Sequence, residues 1–445
     1  MRITIIGTGY VGLVSGVCFA DLGHQVIGVD TNEEKIAGLQ RGQVPIYEPK
    51  LAPMLARQLA KGRISFTTKL AEAMQNTDIV VLAVGTPSLP SGEADLRYIE
   101  QAGREIALAI VRPIIVMTKS TVPVGTNDNL KLMMGSLTTV PFDIVSVPEF
   151  LREGSAVRDT LHPERIVIGA DRPEAAAAIA ELHRPLTENI IITDIRSAEM
   201  IKYASNAYLA TKISFINEIA NICEKVGADV SNVAKGMGFD KRIGKSFLKA
   251  GIGYGGSCFP KDTQALIQIA GHVEYEFKLL KSVVEVNRGQ RFGIIDKLEA
   301  IFGQLDGLTI AIWGLAFKPE TDDVRDAPSY DIIMSLIERG AVVQAYDPIA
   351  LDNFRLLLDS PMMVGCGDAL SAVNGADALC LLTEWKEFTT YRLSELEKRM
   401  KQPVVIDGRN VYEAEEVQAS RFVYRSVGRP GMDQGIAAVT PQLRR

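Results

Sequence analysis

Residues 3–30 constrain the fold of this chain more than any other stretch. A β-branched run at 3–6 leads into Gly7-Thr8-Gly9-Tyr10-Val11-Gly12, a small apolar segment continues through Ala20, and a second run at 25–29 closes on Asp30. Strand, glycine turn, helix and strand within about 30 residues, with an acid about 20 residues beyond the glycines, make the dinucleotide fingerprint of a doubly wound α/β domain. Gly7 permits the tight turn, Gly9 lets the backbone approach a pyrophosphate, and Gly12 lets helix and strand pack closely. The helix N-terminus, at Tyr10 and Val11, then faces the diphosphate. Asp30 is expected to accept from a ribose 2′-hydroxyl and to repel a 2′-phosphate, which favours NAD over NADP. Lys35 reads either as a neighbour of that ribose or as a solvated helix residue.

Further strand–turn–helix units follow at 79–84 before Gly85-Thr86-Pro87, at 114–118 before Ser120-Thr121-Val122-Pro123, and at 144–147 before Pro148-Glu149. In an open parallel sheet ligands meet the carboxyl ends of the strands, so Thr86, Thr121 and Glu149 are expected to project toward the cofactor crevice. From 197 to 225 the pattern turns helical, with Ala204, Ala207, Tyr208, Thr211, Phe215 and Ile219 recurring at three- and four-residue spacings. Lys202 and Asn206, at i and i+4, share one face of that helix. Apolar stretches at 283–286 and 294–298 predict further helices.

The opening theme then returns. A strand at 308–313, the turn Gly314-Leu315-Ala316-Phe317-Lys318, a helix at 329–337 and a strand at 341–346 ending in Asp347-Pro348 make a second βαβ unit. Its turn lacks the full glycine pattern, so this half is expected to hold a nucleotide but not a dinucleotide. Strands at 378–382 and 404–406 extend it. The fold class that emerges is α/β: two Rossmann-like doubly wound domains joined by a long central helical region. The expected boundaries are 1–196, 197–303 and 304–430, with an irregular tail at 431–445.

Gly253-Tyr254-Gly255-Gly256-Ser257-Cys258-Phe259-Pro260-Lys261-Asp262 joins a glycine-rich loop to a thiol, a lysine and an acid. A lone cysteine is more often a small buried hydrophobe than a nucleophile, and Cys18, Cys223, Cys366 and Cys380 are read that way. Cys258 differs, because glycines free the backbone around it and Lys261 and Asp262 flank it; nearby positive charge lowers a thiol pKa. With a nicotinamide site in the same chain, an exposed cysteine points to oxidation through a covalent sulfur adduct. Taking an alcohol to an acid removes two hydrides, and a simple dehydrogenase stops at the aldehyde. A thiolate adds to that aldehyde, the thiohemiacetal yields the second hydride, and water hydrolyses the thioester.

Composition narrows the partners. A chain of 445 residues predicts two or three domains, and a net charge of -6 argues against nucleic acid or an anionic membrane as the main partner. The five cysteines form no C-x-x-C pair and the four histidines no H-E-x-x-H, so no catalytic metal is expected. The first residues run directly into a strand, leaving no room for a signal peptide, and no apolar run reaches the ~18 residues of a membrane span. The expected location is cytoplasmic.

These motifs, in this order, resemble the UDP-glucose/GDP-mannose dehydrogenase family across residues 1–430. The resemblance is carried by Gly7 to Gly12, Ser120-Thr121-Val122-Pro123-Val124-Gly125-Thr126, Pro148-Glu149-Phe150-Leu151-Arg152-Glu153-Gly154 and Lys202-Tyr203-Ala204-Ser205-Asn206-Ala207. Phe247-Leu248-Lys249-Ala250-Gly251, the Cys258 loop, Phe317-Lys318-Pro319 and residues 322–325 complete it.

The resemblance implies an N-terminal NAD domain, a central helical region used for contact in a homodimer, and a C-terminal domain for the nucleotide of a sugar donor. It also implies oxidation of a sugar C6 alcohol to a carboxylate with two NAD and no metal. Motif by motif, Cys258 takes the nucleophile's place, Lys202, Asn206 and Asp262 the polar catalytic cluster, and Thr121 and Glu149 the water and acid–base positions. Glu149, Phe150, Leu151, Arg152 and Glu153 match substrate-loop positions. Phe247, Leu248, Lys249, Ala250 and Gly251, with Gly255 and Lys318, match sugar-nucleotide contacts. Arg242 and Arg409 match arginines near the diphosphate or uridine, one of them a candidate for lending across a dimer. Thr86, Glu153, Lys261 and Arg325 match cofactor-side positions.

UDP-glucose is the sugar nucleotide most in keeping with the Cys258 loop, with His162-Pro163-Glu164-Arg165-Ile166 and with Ser426-Val427-Gly428-Arg429-Pro430; GDP-mannose and UDP-N-acetylmannosamine are the alternatives. A non-catalytic sensor would be expected to have lost the thiol or Lys202. A one-step dehydrogenase would need neither Cys258 nor a second nucleotide-binding half.

Overall fold

The computed structural model describes residues Met1–Asp433. By its internal contacts the chain divides into two compact units, Met1–Ser205 with Gln264–Tyr275, and Asn206–Thr263 with the chain from Glu276 onward. The division falls inside one helix, Ile195–Val226.

Eight strands make the sheet of the first unit: β1 (Arg2–Ile6), β2 (Gln25–Val29), β3 (Ile64–Thr67), β4 (Ile79–Leu82), β5 (Ile114–Thr118), β6 (Phe142–Ser146), β7 (Ile166–Ala170) and β8 (Ile190–Thr193). Their spatial order is β3-β2-β1-β4-β5-β6-β7-β8, and every pairing is parallel except β6 with β7. The order reverses between β1 and β4, which is where a doubly wound sheet opens a crevice for its ligand. Side-chain alternation covers both faces. Ile3, Ile5, Ile79 and Val81 join one apolar cluster, Ile6, Val80 and Leu82 another, as the period of two demands.

The helix Tyr10–Asp21 has no side-chain cap and no acid in its first turn, yet Gly12 through Ala20 are all buried. A cap contributes ~1 kcal/mol, whereas each buried Val, Leu or Phe contributes about 1.5–3 kcal/mol. Burial therefore holds this helix, and its N-terminus is left without a side-chain cap.

In the second unit the strands are β9 (Thr309–Trp313), β10 (Val342–Tyr346), β11 (Met363–Gly365), β12 (Ala378–Leu381), β13 (Val404–Asp407), β14 (Val423–Ser426) and β15 (Met432–Asp433). They run β11-β10-β9-β12-β13-β14-β15, the same winding with its reversal between β9 and β12. The two Rossmann-like sheets and the long helix agree with the expected fold class. The tail read as irregular from Gly431 contributes β15, which pairs antiparallel with β14; its remainder lies outside the described residues.

The long helix departs from its expected apolar stripe. Tyr203, Ala207, Ala210, Ile216 and Ala220 are buried, while Tyr208 and Phe215 are 62% and 48% exposed. Small residues, with the buried polar pair Ser214 and Asn217, make the packed face, and the aromatic rings make a different one.

Candidate active site

The glycine turn after β1 is shaped by close approach. Gly7 has a φ of +93°, and a Cβ on Gly12 would lie 1.9 Å from the Gly7 carbonyl oxygen. A Cβ on Gly9 would meet nothing within 4 Å, so packing within the protein does not require glycine there, and the open space suits a pyrophosphate at an uncapped helix N-terminus. Asp30, at the end of β2, accepts from the Thr8 N–H at 3.0 Å, the Thr8 hydroxyl at 2.8 Å, the Asn32 N–H at 3.1 Å and Lys35 Nζ at 2.9 Å. Burial alone would raise its carboxyl, but these bonds, led by Lys35, hold it below the usual carboxylate range. Lys35 is thus placed against the acid expected to read the ribose. This residue set fits an NAD.

The second turn is occupied further, its acid taking two backbone N–H groups of the turn where Asp30 takes one, that of Thr8. Asp347, after β10, is buried, and its Oδ2 accepts from the Leu315 and Ala316 N–H groups at 2.8 and 3.1 Å and from Trp385 Nε1 at 3.1 Å. A carboxylate from the same unit already satisfies the N–H groups that such a turn would otherwise offer to a diphosphate. This gives the missing glycine pattern a physical counterpart.

Glu149 follows β6 in the first unit. Its Oε1 accepts from the Phe150 and Leu151 N–H groups at 2.8 and 3.0 Å, and its Oε2 lies 2.7 Å from Lys119 Nζ. Burial alone would raise the carboxyl, but Lys119 first, then the Phe150 N–H and the charge of Lys202, hold it below its ordinary value. Lys202 is 7% exposed, and its ammonium lies 5.3 Å from the centroid of the Phe150 ring, which also carries the Arg165 guanidinium at 4.0 Å. Lys202 has no ion pair among the described residues. Thr86 donates its hydroxyl to the Thr121 carbonyl at 2.8 Å, tying two strand-end loops together. Arg152 is bound by Asp159 through its backbone N–H and its guanidinium, and Glu153 is half-buried beside Tyr10.

In the second unit Cys258 is exposed, with Ser257 Oγ 3.6 Å from its sulfur. Cys18, Cys223 and Cys380 are buried, as their bland reading requires. Gly255 has no room for a side chain, since a Cβ would stand 2.2 Å from the Asp326 carbonyl oxygen. Asp262, 1% exposed, accepts from Asn206 Nδ2 and from Lys261 Nζ, both at 2.6 Å. Lys261 therefore answers the acid, whereas the sequence pointed it at the thiol. Arg325 is held by Asp323 at 2.8 Å.

Around the motif 247–251, Phe247 takes a left-handed φ of 63°, a conformation that persists only where the surroundings impose it. Leu248 and Ala250 are buried, and the Gly251 N–H donates to Asn217 Oδ1 at 2.9 Å. Arg409 reaches the Leu382, Gly253 and Phe317 carbonyls at 2.8, 3.2 and 3.4 Å. Glu384 stands 3.5 Å from both Lys249 Nζ and Arg409 Nε, and Lys318 lies over the Phe317 ring. Arg242 is not drawn into this cluster: its side chain is 90% exposed and paired with Asp240.

Three residues here were not singled out in the sequence. Lys119 directly follows a strand rich in buried apolar residues and Glu384 comes three residues after another; a charge so close behind such a run marks a position but not what it meets. Glu48 is buried and bonded to the Tyr10 hydroxyl, and it accepts from the Gly154 N–H at 2.7 Å. It offered no such local signal. Among the described residues no three His, Cys, Asp or Glu side chains are grouped to hold a metal ion, and no helix is long and apolar enough to cross a membrane.

Models of the UDP-glucose/GDP-mannose dehydrogenase family match in three successive pieces: its NAD binding domain at 1–187, its central domain at 196–289 and its UDP binding domain at 311–414. A UDP-glucose 6-dehydrogenase of Bacillus subtilis is 50% identical over 433 residues, covering 97% of this chain and 94% of that protein. The structure of a UDP-glucose dehydrogenase from the hyperthermophilic archaeon Pyrobaculum islandicum matches with a TM-score of 0.90 at 38% identity, over 96% of this chain and 97% of that one. A UDP-D-ManNAc dehydrogenase from Pyrococcus horikoshii matches with a TM-score of 0.85 at 27% identity, over 96% and 99%. The chain belongs to the UDP-glucose/GDP-mannose dehydrogenase family.

Proposed function

We propose that this protein oxidises the C6 alcohol of UDP-glucose to the carboxylate, giving UDP-glucuronate, by way of a thiohemiacetal and a thioester on Cys258. The reading is carried by the exposed thiol at the end of its glycine loop, in a chain 50% identical to a UDP-glucose 6-dehydrogenase. Bound NAD supplies the hydride acceptor for both oxidations. Asp262 takes the hydroxyl proton in the first, through a water. The Lys202 cation and the second N–H of Asn206 stabilise negative charge on O6. Cys258 then adds as thiolate to the aldehyde carbon, and loss of a hydride and a proton from the thiohemiacetal leaves the thioester. Water adds to that carbon while Glu149, aided by Thr121, accepts its proton; the C–S bond breaks and the thiol is restored.

The N-terminal domain serves NAD, and the C-terminal domain, with Lys249, Lys318 and Arg409, serves the UDP-sugar. NADH formed per UDP-glucose consumed, run to completion with excess NAD, tests the whole reading. Two per sugar with uronate as product supports it, and one per sugar means that the reaction ends at the aldehyde. Absence of turnover with UDP-glucose alongside turnover of GDP-mannose or UDP-N-acetylmannosamine at equal concentration would move the assignment to that sugar.

The protein is further read as a cytoplasmic homodimer. Support comes from the exposed face of the long helix, where Tyr208, Phe215 and Ile222 recur every seven residues at 62%, 48% and 54% exposure. Seven residues is nearly two helical turns, so the three side chains form one stripe. Phe215→Asp is expected to halve the mass seen in sedimentation. Each copy would forfeit about 1.5–3 kcal/mol of apolar burial and would have to bury a charge. An unchanged mass would place the interface elsewhere.

A further inference from the structure

Parallel pairing of β5 with β6 sets Thr118 opposite Ser146, so the residues just beyond those strands emerge side by side. Lys119 is 5% exposed, its backbone N–H donates to the Leu82 carbonyl at 2.9 Å, and its ammonium lies 2.7 Å from Glu149 Oε2. Two backbone N–H groups engage Oε1. A carboxylate offers about four acceptor positions, so three are taken and one remains on Oε2.

Three groups face this pair electrostatically from other elements. Lys202, on the long helix, adds a second positive charge beside Glu149. His183, at the end of the helix Pro173–His183, is buried with Nδ1 2.8 Å from the Ile179 carbonyl and Nε2 without a partner. Burial first, then Lys119, pushes its imidazole down to about 4. Cys18, on the helix Tyr10–Asp21, is pushed up to about 12, again by burial first, and Glu48 and Asp21 lie within range of it. His183 and Cys18 are thus neutral near pH 7, and the charge on Glu149 is set by the two lysines.

We propose that Lys119 is a positioning residue for thioester hydrolysis: it fixes Glu149 as an anion in one orientation, with a single acceptor site left to take the proton of the attacking water. This rests on the reading above. In the step itself, water oxygen bonds to the acyl carbon, its proton passes to Glu149, the C–S bond breaks with its electrons on sulfur, and that proton returns to the thiolate. A paired, ionised Glu149 is a weak base, which suits a role in which orientation matters more than basicity. It is ready over the whole pH range in which a thiolate nucleophile operates.

Lys119→Met and Lys119→Arg in the full-length protein separate this role from support of the fold. Lys119→Met is expected to slow hydrolysis by roughly 10²-fold, far more than it slows the first hydride transfer. Sugar-nucleotide acyl adduct then accumulates on Cys258, visible as added intact mass after rapid quench. The acidic limb of the pH profile for hydrolysis rises by about 1–3 units, and Lys119→Arg returns it toward the original. Hydride transfer and hydrolysis falling together, with the limb unmoved, would overturn the proposal. Should Lys119→Met fail to fold, Lys119→Met/Glu149→Gln removes both charges at once. It is expected to hydrolyse no more slowly than Glu149→Gln, and additive losses would count against coupling. A wild-type enzyme that makes uronate without ever carrying the acyl group on Cys258 would instead refute the thioester reading itself.

Discussion

Cys258→Ser abolishes uronate formation while UDP and UDP-glucose still bind: that is the largest effect expected of any single substitution here. Loss of a nucleophile that acts as part of a unit removes most of the catalysis, and a fall of roughly 10³-fold or more is expected. Among the described residues the side chain at 258 meets the Ser257 hydroxyl and no base, so a serine hydroxyl there is not activated, and Asp262 is engaged by Asn206 and Lys261. The sugar-nucleotide contacts proposed here lie mainly in 247–251 and Arg409, so the dissociation constant for UDP is expected to hold in calorimetry. Uronate produced at the normal rate by this variant would sink the covalent route.

Lys202→Met is expected to lower kcat by roughly 10²–10³-fold, the usual cost of removing one oxyanion-stabilising donor. The structural argument is the state of the ammonium. It is nearly buried, rests on the Phe150 ring and has no ion pair among the described residues. The nearby Glu149 carboxylate is ion-paired with Lys119. A buried cation left without an ion pair of its own is expensive unless something arrives to answer it, and in the proposed chemistry that is the charge developing on O6. Methionine keeps the packing length and the contact with Phe150 but loses the charge. The first hydride transfer should therefore slow as much as the overall rate. A variant that loses only affinity, with kcat unchanged, would make Lys202 a binding residue and no more.

How much of this was legible beforehand follows from how local each signal is. Strands β1, β2 and β5 are β-branched runs that end just before Gly7, Asp30 and Lys119, and the sequence placed them within a residue of their observed ends. By contrast β3 is four residues long and β8 reads Ile190–Thr193 with its middle exposed. β3 alternates in burial, but over too few residues to stand out from a loop, and β8 shows no alternation at all. The Cys258 loop was legible because its glycines, thiol and acid are adjacent in the chain. Lys119 was not, because its meaning depends on β6 lying next to β5, a pairing across about thirty residues that no local pattern announces. Asp347 was read only as the end of a strand, since its bonds to Leu315 and Ala316 span a whole βαβ unit. The aromatic residues of the long helix misled for another reason: periodicity shows which residues share a face, but not which face is packed.

The carboxylate of Asp347 sealing the second glycine turn has a kinetic consequence. A chain with a single open turn of this kind docks one nicotinamide at a time, yet the proposed chemistry removes two hydrides from one carbon. The spent cofactor must therefore depart and a fresh one enter while the sugar is half-oxidised. A free aldehyde would be at liberty to diffuse away during that exchange. Anchored through sulfur to Cys258, it waits, so the thiol acts as a tether across the gap between two cofactor visits as well as the means of the second oxidation.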